Sequence, residues 1–138
     1  MKFFFDMAVA RCLARGLAGF FPDDEIVHLE DDPRFRSDNT DIFIIETLSR
    51  LVPPPVFVSA DRNMKARGTP ERKALRDSGL TVVFFRKTFH QIPIEEQVAK
   101  ISKAWPEIRT MSTSVRQPTV FEVGPNGKVE NVCLTSAL

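Results

Sequence analysis

Lys2-Phe3-Phe4-Phe5-Asp6 is the stretch on which the reading of this chain turns. Three consecutive phenylalanines suit a short strand covered on both faces, as in a parallel sheet between helical layers. The run stops at a carboxylate. The following residues predict a helix from Met7 to Phe21, with Val9, Cys12, Leu13, Leu17 and Phe20 recurring at helical spacing. Arg11 and Arg15 fall one turn apart on another face of it. Gly19 to Asp24 closes the helix, with Pro22 as its stop. A strand, an acid at its tip and a helix are how an open α/β sheet begins a site.

Outward from this unit the pattern repeats. Glu25 to Leu29 reads as a second strand, and Glu30 to Asn39 as a polar loop containing Pro33. A second helix is expected from about Thr40 to Leu51, with Asp38, Asn39 or Thr40 as its cap. Ile44, Ile45, Leu48 and Leu51 form its buried stripe, which Asp41 prolongs at the N-terminal end. Pro53-Pro54-Pro55 ends that helix. Val56-Phe57-Val58 is the third strand, and Ser59-Ala60-Asp61 again brings a strand to an acid.

Arg62 to Gly68 is a basic loop. Thr69-Pro70-Glu71 opens a third helix with a cap, a first-position proline and an acid in the first turn. Gly79 closes it. Thr81 to Phe85 is strand four and Arg86 to Pro93 a loop. A fourth helix runs from about Ile94 to Ile108, where Pro106 kinks or breaks it. Thr119 to Val123 and Lys128 to Leu134 flank Gly-Pro-Asn-Gly, a hairpin signal. The alternation predicts a single domain over 1–138. It is a three-layer α/β/α sandwich with a mostly parallel central sheet and a C-terminal β-hairpin extension at about 115–138. The hairpin has two readings, a cover for a sheet edge or a contact with a second copy of the chain in a homodimer.

The 138 residues are 43% hydrophobic and 27% charged, which suits one globular core and excludes a disordered chain. No apolar run approaches the roughly 18 residues of a membrane span. Asp6 cuts the N-terminal apolar run, so no signal peptide is expected. Cys12 and Cys133 are the only cysteines. They make neither a disulfide framework nor a zinc motif. Cys12 on the apolar stripe predicts a buried thiol and a reducing, cytoplasmic compartment.

Charge is segregated along the chain. Residues 23–46 hold nine acids against two bases, whereas 62–76 hold six bases against the single acid Glu71. The arrangement suits a metal site beside a phosphate track, but two solvated faces are the ordinary reading of such charge runs. Asp6 and Asp61 are expected at the carboxyl ends of strands, and Asp41 at a helix start on the same edge. Carboxylates gathered in a partly buried pocket repel unless a cation or proton resolves the conflict. Oxygen donors suit Mg²⁺ or Mn²⁺, which can activate water and offset charge on a phosphodiester. Taken singly, Asp6 reads as a helix cap, Asp61 as a turn former, and Asp41 and Glu71 as helix-start acids. His28 and His90 read as structural. Neither a nucleophile elbow nor a phosphate-binding glycine loop is present.

Phe-Phe-Phe-Asp6, the acid Asp41 opening helix two, and Val-Phe-Val-Ser-Ala-Asp61-Arg62 together resemble PIN-like domains, with VapC-type toxins as the nearest group. Glu71 to Arg76, Ser78-Gly79-Leu80 leading into the fourth strand, Trp105-Pro106-Glu107 and the tail from Pro118 to Val123 extend the resemblance over nearly the whole chain. It implies a Mg²⁺- or Mn²⁺-dependent endoribonuclease whose site a small antitoxin protein blocks. By position, Asp6, Asp41 and Asp61 would be catalytic metal ligands, with Glu71 a fourth acid. Arg11, Arg62, Lys65 and Arg67 are the expected RNA contacts. The chain departs from many relatives in having Met7 after the first acid and Phe43 two residues after the second. Two other readings compete: a non-catalytic module that keeps the fold and binds RNA or protein, and a receiver-like phospho-acceptor.

Overall fold

A computed structural model describes residues 1–61, 68–114 and 119–132. Strands β1 (Lys2–Phe5), β2 (Glu25–His28), β3 (Val56–Ser59), β4 (Thr81–Phe85), β5 (Val120–Val123) and β6 (Val129–Val132) form one sheet in the order β2-β1-β3-β4-β5-β6. All neighbours are parallel except β5 and β6. Helices α1 (Arg11–Phe20), α2 (Asp41–Ser49), α3 (Pro70–Ser78), α4 (Lys87–His90) and α5 (Ile94–Ser114) cover it, with a 3₁₀ turn at Leu29–Asp31.

The period-2 alternation of strands divides the core into two layers. Phe3, Phe5, Val56, Val58, Val83 and Phe85 face one side, where Leu13 and Leu17 of α1 and Ile101, Trp105 and Ile108 of α5 pack on them. Phe4, Phe57, Val82 and Phe84 face the other, beneath Ile44, Ile45 and Leu48 of α2 and Leu75 of α3. The three phenylalanines of β1 are each fully buried. That is why the run is continuous instead of alternating: both faces are dry. The result is the expected α/β/α sandwich.

The β1-α1-β2 unit steps outward to one edge, and α2 then returns across β1 to deliver β3 on its other side. The switch in direction therefore lies between β1 and β3, where a crevice opens beyond the strand ends. Phe5 pairs with Val58 there, and the Asp6 N–H prolongs the pairing by donating to the Val58 carbonyl at 2.8 Å.

Several boundaries differ from expectation. Helix α1 begins at Arg11, not Met7, and its N-cap Ala10 provides no side-chain cap. A turn intervenes, closed by the Val9 N–H on the Asp6 carbonyl at 3.0 Å. The buried stripe is Leu13, Ala14 and Leu17. Cys12 is exposed and Phe20 is 64% exposed, so the expected buried thiol is not found. Those two residues are eight apart on the outer flank of the helix, where its packing against β2 and α5 ends. The 86–93 loop contains the helical turn α4, anchored by fully buried Phe89. Pro106 does not end α5, which runs on to Ser114. Burial of Ile101, Trp105 and Ile108 offsets the roughly 3 kcal/mol that an interior proline costs. The expected C-terminal hairpin is present as antiparallel β5 and β6, and β5 also extends the parallel sheet beside β4.

Asp24 locks the far end of the sheet. Its carboxylate accepts from Trp105 Nε1 at 3.0 Å and from Arg109 Nε at 2.8 Å, and lies 3.7 Å from the terminal amine. Burial is the largest influence on it and pushes its pKa up. The Trp105 and Arg109 hydrogen bonds together outweigh that and hold it below the usual range. No helix among the described residues is long and apolar enough to cross a membrane.

Candidate metal centre

Three carboxylates meet at the switch. One oxygen from each of Asp6, Asp41 and Asp61 lies within 4.8 Å of the others. β1 delivers Asp6, β3 delivers Asp61, and Asp41 is the first residue of α2. Thr40 fixes that helix start by accepting the Phe43 N–H at 3.1 Å. None of these acids is adjacent to another in sequence; the topology assembles them.

Asp6 is 2% exposed. Its carboxylate accepts the Ser59 hydroxyl at 2.8 Å, and Ser59 Oγ in turn accepts the Asp61 N–H at 3.1 Å. One buried hydroxyl thus ties two strand tips together. Burial raises the Asp6 pKa, and the charge of Asp61 adds to it; the Ser59 hydroxyl and the Met7 N–H pull the other way. With α1 starting at Arg11, Asp6 is not a helix cap. Met7 serves the site through its backbone, while its half-buried side chain packs on the α2/α3 side of the core.

Asp41 carries the conflict among the acids. Its pKa is pushed up to about 7, first by burial, then by a hydrogen bond with Asp61, then by the charges of Asp61, Asp6 and Glu71. At neutral pH Asp41 is therefore protonated for part of the time, beside the Asp61 carboxylate. Glu71 is outside the group of three, but from the first turn of α3 its charge reaches Asp41.

A cation can replace that proton. An Mg²⁺-, Mn²⁺- or Ca²⁺-sized ion sits about 2.0–2.6 Å from its oxygen ligands, so oxygens on opposite sides of it are about 4–5 Å apart. A group within 4.8 Å fits one such ion. The donors are all carboxylates, the hard oxygen chemistry that these ions prefer over softer metals.

His28 and Ser59 complete the scaffold, and sequence reasoning gave neither a place in the site. The buried His28 ring accepts the Glu30 N–H at Nδ1 (3.1 Å), so Nε2 carries the proton and donates to the Val9 carbonyl at 2.7 Å. That bond fastens the 7–10 turn to the tip of β2. A serine two residues before a strand-end acid was the only sequence signal for Ser59.

Of the expected RNA contacts, Arg62, Lys65 and Arg67 lie outside the described residues. Arg11 opens α1, where its guanidinium is engaged by Asp31 and lies 3.5 Å from Glu30; Arg15 Nη2 also donates to Asp31, at 2.9 Å. These hydrogen bonds, from Arg11 first and then Arg15, hold the Asp31 pKa down at about 2.

A family model described as a PIN like domain matches residues 1–87. The match spans β1 to β4 and contains all three acids. No curated protein and no solved structure is matched.

Proposed function

The chain belongs to the PIN-like domain family, and from that premise we propose that it is a metal-dependent endoribonuclease of the VapC-type toxin group, acting on single-stranded RNA in the cytoplasm. The observation that carries the reading is the meeting of Asp6, Asp41 and Asp61 at the sheet's switch point. A fold whose members are generally nucleases here presents a donor set for one divalent ion.

Mg²⁺ or Mn²⁺ bound there would supply Lewis acidity toward a phosphodiester and lower the pKa of water. In this reading Asp6 and Asp61 hold the ion and Asp41 completes the set and orients the attacking water. Ser59 keeps the Asp6 oxygens and the Asp61 backbone in register. Glu71 is assigned as a fourth acid that tunes Asp41. Arg11, Arg62, Lys65 and Arg67 are assigned to the RNA backbone, with Arg11 exchanging its acidic partners for phosphate. A small antitoxin protein would block this crevice, and a homodimer would form through the C-terminal hairpin.

The test is cleavage of a labelled single-stranded RNA with Mn²⁺ or Mg²⁺. Activity is expected to vanish with EDTA and in Asp6→Asn. Equal cleavage by wild type and Asp6→Asn would overturn the assignment.

A further inference from the structure

We propose that Lys73 and Arg76, on the outer side of α3, form a backbone-phosphate subsite for the RNA strand presented to the acid cluster. The proposal rests on the reading of the site as an RNA hydrolase. A cavity of about 330 Å³ is lined by Gly68, Thr69, Pro70, Lys73 and Arg76. Two cations thus face one recess. Helix α3 follows β3 and runs back along the sheet, so its first turn lies on the edge where the strands end in Asp6 and Asp61.

The described bases of this segment divide by burial. Arg72 turns inward and is 6% exposed, while Lys73 and Arg76 are exposed. Lys73 has no ion-pair partner among the described residues, and Arg76 has only its exposed neighbour Asp77 at 3.6 Å. Such a surface pair is worth little and gives way to a phosphate. The recess opens at the start of α3, but the groups proposed to hold phosphate are side-chain cations and not helix N–H groups. The Thr69 hydroxyl already takes the Arg72 N–H at 3.2 Å, and Pro70 has no N–H to offer. What remains is a pair of side-chain cations, one a compact ammonium and one a forked guanidinium, on a helix whose first turn shares its sheet edge with an acidic centre that by itself repels nucleic acid. A polyanion passing three carboxylates needs compensating charge on the same edge of the sheet, where Lys73 and Arg76 would supply it.

The experiment is fluorescence anisotropy of the full chain with a labelled 12-nucleotide RNA in EDTA, across a KCl series. Lys73→Ala/Arg76→Ala is expected to weaken Kd about tenfold at 0.1 M salt and to flatten the salt slope by about 1–1.5. Lys73→Arg/Arg76→Lys should restore most of the affinity. Arg50→Ala/Lys103→Ala, which removes two exposed cations elsewhere, should leave both quantities near wild type. An unchanged Kd and slope in Lys73→Ala/Arg76→Ala would overturn the proposal, as would an equal loss in both alanine pairs. Wild type that fails to bind the RNA also overturns it. Binding that depends on Lys73 and Arg76 in a chain that cleaves no RNA with Mn²⁺ or Mg²⁺ supports the subsite and removes the hydrolase reading. Cleavage with an unaltered KM in Lys73→Ala/Arg76→Ala does the reverse.

Discussion

The Ser59 hydroxyl donates to Asp6 Oδ2 at 2.8 Å, across 53 residues of chain. The contact holds a buried carboxylate in the orientation that the other two acids face. It also stabilises the ionised form of Asp6 against burial, which disfavours it.

Ser59→Ala should therefore act on the site and on the fold together. Removing one hydrogen bond to a buried charged group costs about 1–2 kcal/mol of stability near neutral pH. The Asp6 pKa should rise further, and the Mn²⁺ titration midpoint should move to higher concentration. Urea unfolding with and without Mn²⁺ measures both. An unaltered midpoint would mean that Ser59 is a bystander.

Stability of the metal-free protein should fall as pH rises from about 4 to about 7. The folded-state pKa of Asp41 is raised to about 7 and that of Asp6 is raised in the same direction, so the folded state holds more protons than the unfolded one across that window. The loss should be roughly 1–2 kcal/mol, after discounting for solvent screening of the part-exposed Asp41. The depressed Asp24, Asp31 and Asp32 act in the opposite sense: what they contribute is lost only as pH falls below about 4. Thermal melts in EDTA should show the decline in wild type and a flatter profile in Asp41→Asn. A rise over the same interval would contradict the account.

Metal binding should expel a proton. Near pH 6.5 Asp41 is partly protonated, and a cation in place of that proton requires ionised ligands. Calorimetry in two buffers of different ionisation enthalpy should give up to about one proton released per ion, and affinity should climb between pH 6 and pH 8. Bound metal should also raise the melting temperature by mass action. No shift at millimolar Mn²⁺ would favour a degenerate, non-catalytic module.

Asp24→Ala should separate fold from site. It strips the acceptor from Trp105 and Arg109 at the opposite end of the sheet. The expected cost is about 2–3 kcal/mol, because a buried donor and a guanidinium lose their partner. Mn²⁺ affinity should stay at the wild-type value, since none of the three acids moves. A changed affinity would show that the two ends of the sheet are coupled.

The strands were legible in the sequence because fully buried parallel strands leave an unmistakable apolar run, as Phe3-Phe4-Phe5 does. The acids were legible because each closes such a run or opens a capped helix. Less legible was anything decided by tertiary packing. Cys12 and Phe20 satisfy a helical period as well as Leu13 and Leu17 do, and only the position of α5 determines which stripe is covered. Pro106 reads as a breaker locally, yet the Trp105 side of the helix is held too firmly for the chain to leave it. Strand β5 reads as half of a hairpin, while its partnership with β4 is invisible in a linear pattern. His28 and Ser59 act through partners far along the chain, so their neighbours in sequence do not announce them.

The return of β3 across β1 means that the acid cluster exists only in the assembled sheet. Phe5 and Val58 must find each other before Asp6 meets Asp61, and α2 must dock before Asp41 joins them. A nascent or partly unfolded chain carries the same carboxylates as isolated, weak ligands. The converged donor set that could hold one divalent ion is withheld from every species but the finished sheet.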